Sequence, residues 1–227
     1  MFGNIVVRFE DGTKLTRCTE TTYLGHHITQ SMNVRQEVGQ RMQQTMITWR
    51  KLSPFWKAAN CTTGWKLRVY HSIIQSKLIY GLETLHLTQA MLKKVDAFHL
   101  RGLRSILRLE STFVNRRNTN EFVLKSASEH MGHDVLRFSD LLHKRKASLA
   151  GYMIGTDDND PLRQVTYTPN KACAYSVGKK RVGGPRQQWR HFTHRHIWEN
   201  ILKERTDFED TERQNERIHQ MALARHF

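Results

Sequence analysis

Val34, Val38, Met42, Thr45, Trp49 and Leu52 recur every three or four positions, which places them on one face of a helix. Asn33 with Gln36 three residues on forms a capping pair at its start, and Ser53-Pro54 stops it, because a residue before proline is pushed out of helical backbone. A second helical pattern opens at Thr63. Leu67, Tyr70, Ile74, Leu78, Gly81 and Leu85 line one face and Val69, Ile73 and Tyr80 another, so this helix is apolar on two sides and belongs at the centre. A third runs from Thr88 to about Leu109 with Val95, Phe98, Leu103 and Ile106 inward. Asn118 and Glu121 make another capping pair, and helices are predicted over 119–131 and 135–153. After the break at "GTDDNDP" the stretch "LRQVTYTPNKACAYS" reads as extended, and a last helix over 185–204 begins at Pro185, a favoured first-turn residue. Ahead of the helices, "IVVRFEDGTKL" is β-branched around Asp11-Gly12, which predicts a hairpin over 4–17, with "TYLGHHI" as a short third strand. Trp49, Ile74, Leu78 and Phe98 are the predicted core.

The fold class that follows is mainly α: a short N-terminal β-hairpin, then a helical bundle and a basic C-terminal helical region. Residues 1–32 hold the hairpin, 33–112 a three-helix bundle, 113–160 a helical connector, and 161–227 a basic loop and C-terminal helix. Hydrophobic residues make up 38% of the 227, which suits a multi-lobed body better than a sphere. Three widely spaced cysteines, Cys18, Cys61 and Cys173, indicate neither a disulfide framework nor a zinc module. With no membrane-length apolar run and no leader-like start, the expectation is an intracellular protein, and a nuclear one if nucleic acid is its partner.

Charge sharpens the picture. The chain carries 36 Lys and Arg against 21 Asp and Glu, a net +15, and such an excess points to a polyanionic partner. Residues 41–110 are the densest part, with 12 basic and 3 acidic side chains. Within them Lys94, Arg101, Arg104 and Arg108 fall on one side of the third helix without acidic neighbours four residues away, so they repel one another unless something anionic neutralises them. A second basic cluster, "GKKRVGGPRQQWRHF", places Lys179, Lys180, Arg181, Arg186, Arg190 and Arg195 around Gly183 and Gly184 and at the start of a helix, where free amides also favour phosphate. Trp189 in that stretch is read as a core anchor rather than a base-stacking platform, since tryptophan is large and mostly buried. Asp157-Asp158 sits among Gly, Thr, Asn and Pro, the composition of an ordinary turn rather than of a catalytic metal site. His191, His194 and His196 lack ligand-like spacing, so no metal and no cofactor is predicted.

Several blocks, in order, resemble the region that follows the catalytic palm in reverse transcriptases of non-LTR (LINE-type) retrotransposons. "TYLGHHIT" is similar to the segment that closes the palm beside the primer. "YHSIIQSKLIYGLETLHLT" and "FHLRGLRSIL" resemble the thumb. "KASLAGYMIGTDDNDPLRQV" and "GKKRVGGPRQQW" resemble the family's downstream Gly-His block and its Gly-Arg-Pro-Arg block, with Tyr152 in place of the usual histidine and Gly184 in place of a common arginine. The similarity runs from about residue 4 to 200. It implies a thumb-like helical bundle that holds a template-primer duplex or hybrid of RNA or DNA by its backbone, with Tyr23, Leu24 and Gly25 forming a primer-proximal hairpin. The family's fingers and palm, with their catalytic aspartates, have no counterpart in these residues. The expectation is therefore a non-catalytic C-terminal piece of a LINE-type RNA-directed DNA polymerase, not an enzyme by itself, with no catalytic residues. The alternative is a basic helical module that meets an acidic protein and has no nucleic-acid role.

Overall fold

The computed structural model describes residues 10–14, 18–23, 26–29, 34–167 and 189–197. The chain is mainly helical, as its periodicity predicts. Near the N-terminus Gly12 takes φ +83° and the Thr13 amide donates to Asp11 Oδ1 at 2.8 Å, so the predicted turn forms; the flanks of that hairpin lie outside the described residues. "TYLGHHI" is not a single strand. Strand β1 (Glu20–Tyr23) pairs antiparallel with β2 (His26–Thr29), Tyr23 opposite His26, so the chain reverses within the segment.

Helix α1 (Val34–Lys51) is followed at once by α2 (Ser53–Ala58), whose proline occupies the first turn. Helix α3 (Thr63–Val69) is capped by the Thr62 hydroxyl, which accepts from the Trp65 amide, and continues through a π-helical stretch, Tyr70–Gln75, into α4 (Ser76–Ile79). This rod is the centre of the molecule: Leu67, Tyr70, Ile74, Leu78 and Ile79 are fully buried. It ends earlier than its apolar pattern, which continues to Leu85, because Gly81 adopts φ +70°, where a side chain would be strained.

Helix α5 (Gln89–Leu107), capped by Thr88, crosses the rod at Gly102. A Cβ on Gly102 would lie 2.9 Å from the Tyr70 ring, so only glycine lets the two helices come this close. Tyr70 then reaches His99 Nδ1 at 2.9 Å, and His99 stacks on Phe138 at 3.9 Å. Ile74 and Leu78 are core residues as predicted; Trp49 and Phe98 are only partly buried and pack on the core's edge.

Helix α6 (Asn120–Met131) starts one residue later than its predicted cap. Thr119, not Asn118, accepts from the Phe122 amide at 3.2 Å, while Asn118 is buried and donates to the Glu110 carbonyl. Replacing Thr119 by alanine is expected to cost about 1 kcal/mol in a denaturant titration, the usual worth of an N-cap; no loss would return the cap to Asn118. Helix α7 (Phe138–Gly155) is held at its start from another element, since Asp96 Oδ1 accepts the Ser139 amide at 2.8 Å. The core does not break near residue 112: Val123, Ala127, Met131, Phe138 and Leu142 belong to the same cluster as Val38 and Leu103.

Where an extended stretch was expected, Asp160-Pro161 instead nucleates α8 (Pro161–Thr166), with Asp160 accepting from the Leu162 and Arg163 amides. A second cluster joins Ala150, Met153, Ile154 and Tyr167 to Ile197 at the end of α9 (Trp189–His196). The remainder of the predicted 185–204 helix lies outside the described residues.

Candidate nucleic-acid interface

Two clefts open along α5, one on each side of Arg101. The first, of about 410 Å³, is lined by Lys93, Asp96, Ala97, Leu100, Arg101, Arg104, Ser111, Asn120 and Arg137. Four of these are cationic and one acidic; the acidic one, Asp96, accepts the amide at the start of α7, and one of the cations, Arg137, is paired with Glu121 at 2.5 Å. The second, of about 310 Å³, lies between α1 and α5 and is lined by Met46, Trp49, Arg50, Phe98, Arg101, Gly102 and Ser105. It is largely apolar between two guanidinium groups. At 100° per residue, Lys93, Ala97, Arg101 and Arg104 trace the cationic side of α5, while Lys94, Phe98, Arg101 and Ser105 trace the apolar side.

The four predicted α5 cations therefore have three different roles. Lys94 and Arg101 are exposed, as expected of groups that meet a partner. Arg104 is half-buried and donates to the Asn118 carbonyl at 3.2 Å and to Asn120 Oδ1 at 2.8 Å, so it ties the loop after α5 to the start of α6. Arg108 lies past the last helical residue at φ +56°, off the helix face on which straight periodicity puts it. A non-glycine residue there costs about 1–2 kcal/mol. Sequence reasoning missed Lys93, Arg137 and Arg50. The small Ala97, four residues from both Lys93 and Arg101, is the one local hint of a cleft; Arg137 and Arg50 come from other helices and left no local signal.

Of the C-terminal basic cluster, Lys179, Lys180, Arg181 and Arg186 lie outside the described residues, as do Leu24 and Gly25 of the proposed hairpin tip. Arg190 lies on α9, and Arg195 is exposed there; Tyr23 is exposed at the end of β1. Trp189 is a packing anchor, as predicted: its Nε1 donates to the Glu83 carbonyl and its ring packs on the second cluster.

Not every cation is available to a partner. Arg41 pairs with Glu37 at 2.7 Å and donates to the Tyr80 carbonyl; Lys66 donates to the Trp56 carbonyl at 3.0 Å; both are buried. Lys146 donates to the Leu85 carbonyl at 2.8 Å beneath the Phe192 ring, and burial brings its pKa down to about 8. Arg163 donates to Asp158 and to the last carbonyls of α7, Met153 and Ile154. Asp157 accepts the Asn159 amide, so the aspartate pair is part of a turn and an ion pair. His194 Nε2 meets the Tyr167 hydroxyl at 2.9 Å, and His196 stacks on His143 at 4.1 Å. Among the described residues no three His, Cys, Asp or Glu side chains are grouped to hold a metal ion, and no helix is long and apolar enough to cross a membrane.

Comparison of the chain with protein-family models, with curated proteins and with solved structures returns no match.

Proposed function

We propose that the chain holds nucleic acid by its sugar-phosphate backbone, without sequence preference, and that it is a non-catalytic counterpart of the thumb and connector of a LINE-type reverse transcriptase. The observation that carries this reading is the convergence of Lys93, Arg101, Arg104 and Arg137 around one cleft, where Arg137 is paired with Glu121 at 2.5 Å, Arg104 is tied to Asn118 and Asn120, and Lys93 and Arg101 are exposed. Among the described residues, Lys93 and Arg101 take part in no ion pair. Clustered cations of this kind suit phosphates, which position a nucleic acid without reading it. Holding differs from joining: nucleotide transfer needs converging carboxylates that carry metal ions, and Asp158 is bound to Arg163.

The test is a filter-binding titration of duplex and hybrid substrates against salt. With about six phosphates neutralised, log K should fall against log salt with a slope near −5. A salt-independent Kd, or binding that survives only with an acidic protein, would sink the reading. A primed template with nucleotides and magnesium should show no extension by the chain alone.

A further inference from the structure

We infer that the apolar cleft between α1 and α5 is a slot for an unpaired nucleobase, which makes the partner a strand with a single-stranded segment rather than a continuous duplex. The inference rests on the backbone-binding reading above and adds to it a second contact of different chemistry.

Three features of the cleft support this occupant. It is lined by Met46 and two aromatic side chains, Trp49 from α1, one face of which is already stacked on Trp56 at 4.7 Å, and Phe98 from α5, with Gly102, which sits on the Tyr70 ring, as its floor. At about 310 Å³ it lies at the lower edge of the roughly 300–1,000 Å³ of small-molecule sites, room for one ring system and its sugar but not for a helix or strand of a protein. Arg50 and Arg101 stand at its lining, so an apolar planar group that carries anionic charge at its edge is the matching chemistry.

Arg101 connects the two clefts. Because it lines both, a base lodged against Trp49 and Phe98 leaves its own phosphate at Arg101 and directs the neighbouring phosphate toward Lys93 and Arg104. In a duplex the bases are paired and stacked inward, out of reach of such a slot; an unpaired base offers its π-face to aromatic side chains. The site is sequence-tolerant, since every base has such a face.

The experiment compares a short oligothymidylate with a strand of the same length and charge in which abasic residues replace the thymidines, each titrated against the full chain at several salt concentrations. The base-bearing strand is expected to bind about tenfold more tightly, in the range of one base–aromatic stack, with the same salt slope for both. Ser105 is exposed on α5, so Ser105→Phe fills the slot without removing a core contact. This variant should bind the two strands alike at the abasic level, with an unchanged thermal midpoint. Trp49→Phe, which keeps an aromatic wall, should retain most of the difference. Equal affinities for the two strands in the native chain, with a steep salt slope, overturn the slot and leave the backbone reading standing; that is the result expected if a segment of this chain or a second copy fills the cleft. Failure of both strands, and of duplex, to bind overturns both.

Discussion

Removing Lys93, Lys94 and Arg101 together, each to alanine, is expected to weaken binding of any RNA or DNA between about a hundredfold and a thousandfold at 0.1 M salt. Each phosphate contact contributes about −0.9 to the slope of log K against log salt, or close to a decade of affinity at that concentration. Three lost contacts therefore take the slope from near −5 to between about −2 and −3. The loss should be the same for all sequences, because these groups position the backbone and do not read bases. All three side chains are exposed, so the helical circular dichroism should not change. Arg104 is deliberately left in place. Its guanidinium holds Asn118 and Asn120, so its removal would mix lost binding with a loosened α5–α6 connection. A triple variant that folds normally and binds as tightly as the native chain, with an unchanged slope, would show that the cationic cleft is not the contact surface.

What could be read from sequence was whatever local geometry decides. The starts of α3 and α5 were legible because Thr63 and Thr88 stand ahead of regular apolar repeats, although the residue that caps α3 is Thr62. Ile74 and Leu78 were legible because they lie on the doubly apolar helix. Asn118 and Thr119 both suit an N-cap, and what separates them is the Glu110 carbonyl, a tertiary demand that takes Asn118 away. Asp160-Pro161 is a helix start as well as a turn signal, and its weight was given to the turn. Trp49 and Phe98 have helical spacing suited to a core, but α1 and α5 leave a cleft between them, and no single-helix periodicity records how two helices diverge.

The same limit applies to charge. A sum over the chain treats every Lys and Arg as surface, yet Arg41, Lys66, Lys146 and Arg163 are buried and use their donors on carbonyls that would otherwise be left without partners. They hold the ends of helices and the turns between them. The electrostatic footprint is thus smaller than the net charge suggests and more concentrated; at its centre on α5 Lys93 and Arg101 are exposed, while Arg137, contributed from the start of α7, is shared with Glu121.

Acid should begin to destabilise this protein before its carboxylates protonate. His99 is fully buried between the Tyr70 hydroxyl and the Phe138 ring, and burial first, then the nearby His71, brings its pKa down to about 3. His143 is brought down to about 4, by burial first and then by the charges of His196, stacked on it, and Lys146. His71 is lowered as well, by burial and then by His133. In the unfolded chain each would titrate near its ordinary value of about 6.5. Below that pH the unfolded state binds protons that the native state refuses, so stability rises with pH: the contribution is complete above about 6.5 and is lost as the pH falls toward the native values. While the native state excludes the proton, the fully buried His99 withdraws about 1.4 kcal/mol per pH unit, large against a total stability of about 5–15 kcal/mol; His143 and His71 are only partly buried, and solvent screens their share. The thermal midpoint should be level between about pH 7 and 8, above the range of these histidines and below that in which the buried Lys146 has lost its proton in the folded state alone, and drop between 6.5 and 5, a range in which ordinary carboxylates are still charged. His99→Gln, which keeps a polar partner for Tyr70 but cannot titrate, should be less stable at pH 7 and lose much of that slope. A midpoint that stays level down to pH 5 in the native chain would mean that these rings take up protons in the folded state, and that the Tyr70–His99–Phe138 stack does not shield its histidine.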